Sequence, residues 1–166
     1  MSALPLVLIV MGSDSDLHVM QEAADILTTF SVPWEMRISS AHRSPVRTMA
    51  LASEAAGRGI KVIIAGAGMA AHLAGVVASR SILPVIGIPM PGGALSGVDA
   101  LYSTVQMPAG IPVATMAIGK AGAKNAGLFA VQILALTDDR LAVSLGKYRR
   151  EMDLECASKD AALQSA

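Results

Sequence analysis

The stretch "LVLIVMGSDSD", residues 6–16, decides the fold. It joins a continuous apolar run, 6–10, to a loop of small and acidic residues. A short strand that is apolar on both faces is typical of a parallel sheet covered by helices on both sides. Ser13 with Asp16 three residues later resembles a capping box at the start of the next helix. The apolar face of that helix contains Leu17, Met20, Ala24 and Leu27.

The same order of strand, loop and helix recurs along the chain. Four further strands are predicted: "WEMRI" (34–38), "KVIIAG" (61–66), "LPVIGIP" (83–89) and "IPVATMA" (111–117). Helices are predicted from Ser44-Pro45 to Gly57 or Gly59, after "AGMAAHLAG" (67–75), near "VDALYSTVQ" (98–106) and over "GAKNAGLFAVQILAL" (122–136). This alternation predicts an α/β fold, a three-layer doubly wound parallel sheet in one domain, 1–166. A charged helix over about 138–163 is expected to lie at the periphery.

Composition excludes several classes of protein. The 166 residues carry 13 basic and 13 acidic side chains, so the net charge is zero and no global field attracts nucleic acid or a membrane surface. Cys156 is the only cysteine, which rules out an intrachain disulfide and a zinc site built from cysteines. The start of the chain shows neither the basic region nor the cleavage site of a signal peptide, so we expect a cytoplasmic protein.

The segment 62–119 is almost free of charge. Its only charged side chains are Arg80 and Asp99. Frequent glycine and proline residues exclude a transmembrane helix. A small domain has too much surface to hide so many uncharged residues in its own core. We therefore expect part of this charge-poor segment (62–119) to face other subunits of a homo-oligomer.

Polar residues collect where the predicted strands end. In a doubly wound sheet, ligands bind beyond the carboxyl ends of the strands. The segments placed there are 11–16, 39–45, 65–73 and 89–97, and they contain Asp14, Asp16, His42, Arg43 and His72. The sequence therefore predicts a ligand site at this edge of the sheet.

The pair His42-Arg43 is the strongest candidate for chemistry. Histidine can give and take a proton near neutral pH, and arginine binds phosphate or carboxylate. Ser39, Ser40 and Ser44 supply hydroxyl donors beside them. The alternative is a helix cap with two solvated neighbours, and these residues alone leave that open.

Two other motifs carry less weight. "GAGMAA" (66–71) partly fits the dinucleotide fingerprint, but no acidic residue for a ribose ends the next strand. Its glycines are better explained by close approach of a ligand to the backbone. His18 is interpreted as a solvated surface histidine. No pair of histidines has metal-ligand spacing on a helix, so we predict no metal site.

Four segments in order resemble a known family: "VMGSDSD", "SAHRSP", "IIAGAGMAAHLAG" and "GVDALYSTVQMPAGIPVATMAIGKAGAKNAGLFAVQIL". Together they are similar to the class I N5-carboxyaminoimidazole ribonucleotide mutases of purine biosynthesis, over about residues 6–150. The resemblance implies a flavodoxin-like fold, a homo-octamer and no cofactor or metal. One position departs from the family pattern, because Ala74 stands where members commonly have proline.

The resemblance also implies roles for individual residues. His42 is implied to be the general acid and base, and Arg43 and Ser40 to hold the 5′-phosphate. Ser13 and Asp16 are implied to lie along the ribotide, with Asp16 accepting from ribose hydroxyls. The aminoimidazole and carboxylate end is implied to be lined by Ala67, Gly68, His72 and Leu73. The reaction would release CO2 from the exocyclic nitrogen, trap it, and attach it to the ring carbon.

Two other functions stay open at this point. One is a carboxylase that adds free CO2 to aminoimidazole ribonucleotide, as the related class II enzymes do. Those enzymes typically have lysine where this chain has Arg43, which favours class I. The other is a flavodoxin-like mononucleotide-binding module without chemistry. The low aromatic content, 3%, argues against a module that stacks a flavin.

Overall fold

The computed structural model describes residues 4–165, so 1–3 and 166 of the predicted domain lie outside the described residues. Five parallel strands form one sheet in the order β2-β1-β3-β4-β5. Their bounds are β1 Val7–Met11, β2 Trp34–Ile38, β3 Val62–Ala67, β4 Val85–Pro89 and β5 Ala114–Thr115. This is the flavodoxin-like strand order, and it confirms the predicted doubly wound α/β fold.

Helices cover both faces of the sheet. They are α1 Leu17–Thr29, α2 Pro45–Glu54, α3 Leu73–Ala78, α4 Val98–Val105, α5 Lys120–Ala135 and α6 Asp139–Gln164. The core on one face joins Val7, Ile9 and Met11 of β1 to α1 and α5. The core on the other face joins Leu8 and Val10 to α2 and α3. The side chains of β1 thus alternate between two buried cores, which explains its uninterrupted apolar run.

The last strand is shorter than predicted. Residues 111–117 were expected to be extended, but only Ala114–Thr115 pair with β4. Pro112 has no amide hydrogen to donate, and β5 lies at the edge of the sheet, where it pairs on one side only. The prediction of a full-length fifth strand was therefore wrong.

The loop after β1 also differs from the predicted capping box. Residues Asp14–Asp16 form a 3₁₀ turn before α1. The Ser13 hydroxyl accepts from the amide of Ser15, whereas the amide of Asp16 donates to the Ser13 carbonyl. Tight i→i+3 bonding replaces the box because the chain must turn sharply from the strand into the helix.

The last helix lies at the periphery, as the sequence predicts. It has 26 residues, of which only Leu141 is buried. Tyr148 packs against Phe30, with ring centroids 5.5 Å apart. Within residues 4–165 no helix combines the length and the hydrophobicity needed to cross a membrane.

Two helical glycines provide a test of this packing. A Cβ at Gly122, in the first turn of α5, would overlap the carbonyl oxygen of Ala117, whereas one at Gly146, in α6, would meet nothing within 4 Å. We expect Gly122→Ala to lower the free energy of unfolding by about 3 kcal/mol, because the obstacle is backbone. Gly146→Ala should raise that free energy by roughly 0.5–1 kcal/mol through helix propensity.

Urea denaturation of both variants beside the unchanged protein makes the comparison. A Gly122→Ala variant as stable as the Gly146→Ala variant would contradict the close approach of residue 122 to the preceding turn.

Candidate active site

A cavity of about 420 Å³ lies beyond the carboxyl ends of the strands. Loops that follow β1, β2, β3 and β4 surround it. All nine predicted site residues line it: Ser13, Asp16, Ser40, His42, Arg43, Ala67, Gly68, His72 and Leu73. The volume falls in the range of small-molecule sites. The structure thus brings together residues that are up to 60 positions apart in the chain.

The first wall is the loop after β1. The Ser13 hydroxyl donates to Asp14 Oδ1 at 3.0 Å. Asp14 Oδ1 also accepts from the Ser15 amide at 3.1 Å. The Asp16 carboxylate is half-buried at the edge of the cavity. His18 is exposed and its Nδ1 contacts the Ser15 carbonyl at 2.9 Å, outside the cavity lining.

Burial raises the pKa of the Asp16 carboxyl above its ordinary value. Hydrogen bonds from the Ser13 backbone and the Ser15 side chain act in the opposite direction, as do the charges of His18 and Arg43. The removal of solvent outweighs them, since an ionised group loses much of its stabilisation when it leaves water. A donor from a bound molecule would restore part of that stabilisation, as expected of a carboxylate built to accept hydrogen bonds from a ligand.

The second wall is the turn between β2 and α2, held in shape by its serines. The Ser44 hydroxyl accepts from the Ser40 amide at 3.0 Å and donates to the Ser40 carbonyl at 3.1 Å. The Ser40 hydroxyl accepts from the Arg43 amide at 3.1 Å. Ser44 occupies the cap position of α2 but makes no side-chain cap bond. The predicted helix start at Ser44-Pro45 is confirmed, but the Ser44 side chain holds the turn and does not cap the helix.

Ser39 is not part of the site. It is buried, and its hydroxyl is bonded to the hydroxyl of Thr48 at 2.8 Å. This bond fixes the end of β2 to α2. The expectation that Ser39 offers a donor to a ligand was wrong, because its side chain is buried against Thr48, whereas Ser40 lines the cavity.

Arg43 connects the first two walls. Its Nη2 donates to the Gly12 carbonyl at 2.8 Å. A guanidinium has five N–H donors, so the others can bind an anion. Arg43 is exposed at the mouth of the cavity, beside the amino end of α2. A helix amino end favours negative charge, so this corner is suited to a phosphate.

The two histidines of the site contact each other directly. Nε2 of His42 lies 2.8 Å from Nδ1 of His72. The ring centroids are 4.9 Å apart and the rings are nearly perpendicular, at 82°. Sequence reasoning placed both residues at the site but missed the pairing. The strand order is the feature that predicts this pairing. Because β2 and β3 lie on either side of β1, the loops that follow β2 and β3 converge above the carboxyl end of β1.

The third wall is the glycine-rich backbone after β3, together with the loop after β4. A Cβ at Gly68 would come within 3.3 Å of Met90 Cβ, so only a residue without a side chain fits easily there. Met69 adopts φ +55° and is 64% exposed at the rim. Sequence reasoning did not single out Met69 or Met90.

Ala74, the position that departs from the family pattern, is buried in the first turn of α3.

Within residues 4–165, no group of three or more histidine, cysteine, aspartate or glutamate side chains is arranged to hold a metal ion. The absence of a metal, which the sequence analysis expects, stays a prediction.

Known proteins resemble this chain over almost its whole length. Residues 6–155 match the protein family described as AIR carboxylase. A Bacillus subtilis protein named N5-carboxyaminoimidazole ribonucleotide mutase is 56% identical, over 87% of this chain and 90% of its own. Proteins of the same name from Pyrococcus horikoshii and Mycobacterium leprae are 54% and 52% identical, over 93% and 99% of this chain and 86% and 95% of theirs.

A solved structure shares the fold. The crystal structure of Treponema denticola PurE superimposes with a TM-score of 0.87 at 32% identity, covering 96% of this chain and 98% of that one. The superposition leaves very little of either chain unmatched. It therefore includes the edge of the sheet where the cavity lies.

The raised pKa of Asp16 predicts a pH-dependent effect on stability. Because the folded protein disfavours the ionised carboxyl, Asp16 destabilises the fold at neutral pH, and this effect disappears once the pH falls below the ordinary value of 3.8. We expect Asp16→Asn to be more stable than the unchanged protein at pH 7, with a difference that shrinks as the pH falls towards 4.

Urea midpoints at several pH values measure the difference. A variant that is less stable at pH 7 would mean that the hydrogen bonds to Asp16 outweigh its burial.

Proposed function

The chain belongs to the AIR carboxylase family, and we propose that it is an isomerase that converts N5-carboxyaminoimidazole ribonucleotide to 4-carboxy-5-aminoimidazole ribonucleotide in purine biosynthesis. The observation that carries this proposal is 52–56% identity with proteins named as that mutase, across most of each chain. The cavity supports it, since it unites a proton carrier, an anion-binding corner and a wall of small residues. No cofactor is part of the proposal.

His42 is the proposed general acid and base. As an imidazolium it donates a proton to the exocyclic nitrogen of the substrate, whose bond to the carboxyl carbon then breaks and releases CO2. The ring carbon attacks the CO2 with the electron pair supplied by the amine. Neutral His42 removes the proton from that carbon and restores aromaticity. The histidine ends as it began, so no net proton is gained or lost.

Arg43 and Ser40 are the proposed phosphate ligands. The guanidinium can offer charge-assisted bonds, and the amino end of α2 adds the favourable end of its dipole. Ser13 and Asp16 are proposed to contact the ribose, with Asp16 accepting from its hydroxyls. The half-buried position of Asp16 in the lining of the cavity supports this assignment.

The ring end of the substrate is proposed to lie against Ala67, Gly68, His72 and Leu73. A released CO2 molecule must stay close to the ring carbon for recarboxylation, so this end must exclude water. Small and apolar residues serve that purpose, and Pro91, Gly92 and Gly93 border the cavity from the loop after β4.

The alternatives are less favoured. The relatives above are named as mutases, which does not favour a carboxylase that uses free CO2. The purified chain should convert the N5-carboxylated ribotide in buffer without added bicarbonate. Activity seen only with aminoimidazole ribonucleotide and bicarbonate would replace the mutase by the carboxylase, and activity with neither substrate would leave a binding module.

We also propose that the protein is a cytoplasmic homo-octamer. The charge-poor segment (62–119) exposes large apolar side chains, among them Ile82, Leu95, Tyr102 and Val105. Exposed apolar surface that collects in one region is typical of contacts between subunits, which supports contact between copies of the chain at this segment. The single cysteine, Cys156, is free and exposed, which fits a reducing compartment.

His42→Gln should abolish turnover while ribotide binding persists. The side chain stays polar and similar in size, but it no longer carries a proton between nitrogen and carbon. We expect kcat to fall about 10,000-fold or more, the upper end of acid–base contributions, because one group serves both steps. Calorimetric titration and the mutase assay on one preparation measure binding and turnover.

Arg43→Ala is the matched contrast for that variant. The phosphate does not change during the reaction, so we expect KM to rise by about tenfold or more while kcat stays within about threefold. A His42→Gln variant with near-normal kcat, or an Arg43→Ala variant with a collapsed kcat and normal KM, would overturn the corresponding assignment.

Sedimentation tests the oligomer. We expect a mass near eight times the 17.0 kDa of one chain. Ile82→Glu places a charge at a side chain that is 97% exposed within the charge-poor segment, and it should shift the protein to smaller species. Leu136→Glu, at a side chain 84% exposed outside that segment, should not. A monomeric unchanged protein would refute the proposal.

A further inference from the structure

We propose that His72 is a positioning residue that keeps a proton on Nε2 of His42, so that Nδ1 of His42 is the nitrogen that gives and takes the reacting proton. The proposal rests on the proposed function and makes it specific to one atom. It assigns His72 a role towards His42 in addition to its place in the cavity wall.

The contact between the two rings has the geometry of a hydrogen bond. The 2.8 Å separation of His42 Nε2 and His72 Nδ1 is within the usual range for nitrogen donors. Perpendicular rings with centroids 4.9 Å apart exclude parallel stacking. A bond between two ring nitrogens contains one proton, so one nitrogen donates and the other must present a lone pair.

The reaction decides which nitrogen donates. His42 must be an imidazolium to act as the acid, and an imidazolium carries protons on both nitrogens. Its Nε2–H can then only donate, so Nδ1 of His72 must be bare and His72 neutral. In the reverse arrangement, Nδ1 of His72 would donate to a bare Nε2 of His42. That Nε2 could then gain a proton only if the contact between the two rings broke. One arrangement therefore persists through both proton transfers without any change at His72.

The other nitrogen of His42 is left for chemistry. Among the described residues, His42 Nδ1 has no hydrogen-bond partner, while Nε2 is held. After Nδ1 gives its proton to the substrate nitrogen, His42 is neutral with its proton on Nε2. Bare Nδ1 is then ready to accept the proton from the ring carbon.

His72 thus resembles the third member of a catalytic triad. In a Ser-His-Asp site, a carboxylate fixes the tautomer of the histidine through the nitrogen that does not react. Within residues 4–165, neither ring is bonded to a carboxylate. A neutral imidazole fixes the tautomer of His42 without placing a negative charge beside the substrate carboxyl. A carboxylate in the place of His72 would repel that negatively charged carboxyl group.

Nitrogen NMR tests the tautomer directly. The chain has three histidines, so ¹⁵N-histidine labelling gives three imidazole rings, and His18→Asn identifies the one outside the site. Solid-state spectra, which do not depend on particle size, should show His42 with protonated Nε2 and His72 with bare Nδ1, and a ¹⁵N–¹⁵N correlation between them. A proton on Nδ1 of His72, or no correlation, would overturn the proposal.

Two variants at position 72 give the kinetic test. In His72→Asn, the amide oxygen lies near the place of Nδ1 and can still accept, whereas His72→Leu fills the space without an acceptor. We expect kcat of the leucine variant to fall by roughly 10- to 100-fold, as for a displaced catalytic group, with KM within about threefold. The asparagine variant should recover most of that loss.

The other kinetic outcomes count against the proposal. Equal losses in both variants, unchanged kcat in the leucine variant, or a rise in KM alone would show that His72 does not position His42. His18→Asn should match the unchanged protein and serves as the control for loss of a histidine. If the unchanged protein does not act on the ribotide, the proposed function fails, and the nitrogen spectrum alone then decides the tautomer.

Discussion

The parallel pairing of β1 with both of its neighbours is the constraint on which the site depends. Met11, the last residue of β1, lies opposite Ile38 of β2 and Gly66 of β3. The hydrogen bonds continue into the loops, from the Ser39 amide to the Met11 carbonyl and from the Gly12 amide to the Gly66 carbonyl. Three strand ends are thus held in one row, and the loops that leave them must meet. The histidine contact and the bond from Arg43 to Gly12 both follow from that row.

Small residues make this arrangement compact. A Cβ at Gly127 in α5 would lie 2.9 Å from the Ala23 carbonyl oxygen and from Ile26 Cβ, so the glycine lets α5 approach α1 closely. On the other face, a Cβ at Gly87 in β4 would press against Thr104 and Val113. These contacts explain why a chain with 3% aromatic residues builds two dense cores.

The sequence predicts the sheet and the location of the site well, because both rest on local patterns. An apolar strand followed by a polar loop identifies a strand end, and parallel pairing places all such ends together. What it misses depends on contacts between distant residues. Ser39 and Ser40 are equivalent in the sequence, yet the inward direction of one side chain commits it to Thr48. Likewise, β5 is shortened by its place at the edge, and the histidine contact depends on two loops that are separated by about 30 residues.

The measurement that tests this account most directly follows the carboxyl carbon. The N5-carboxylated ribotide, labelled with ¹³C in its carboxyl group, is converted in buffer that contains unlabelled bicarbonate, and the product is analysed by mass spectrometry. If CO2 is released and recaptured inside the cavity, the product retains the label. A product that carries carbon from the bicarbonate would show that CO2 exchanges with solvent, and it would contradict both the closed site and the mutase reaction.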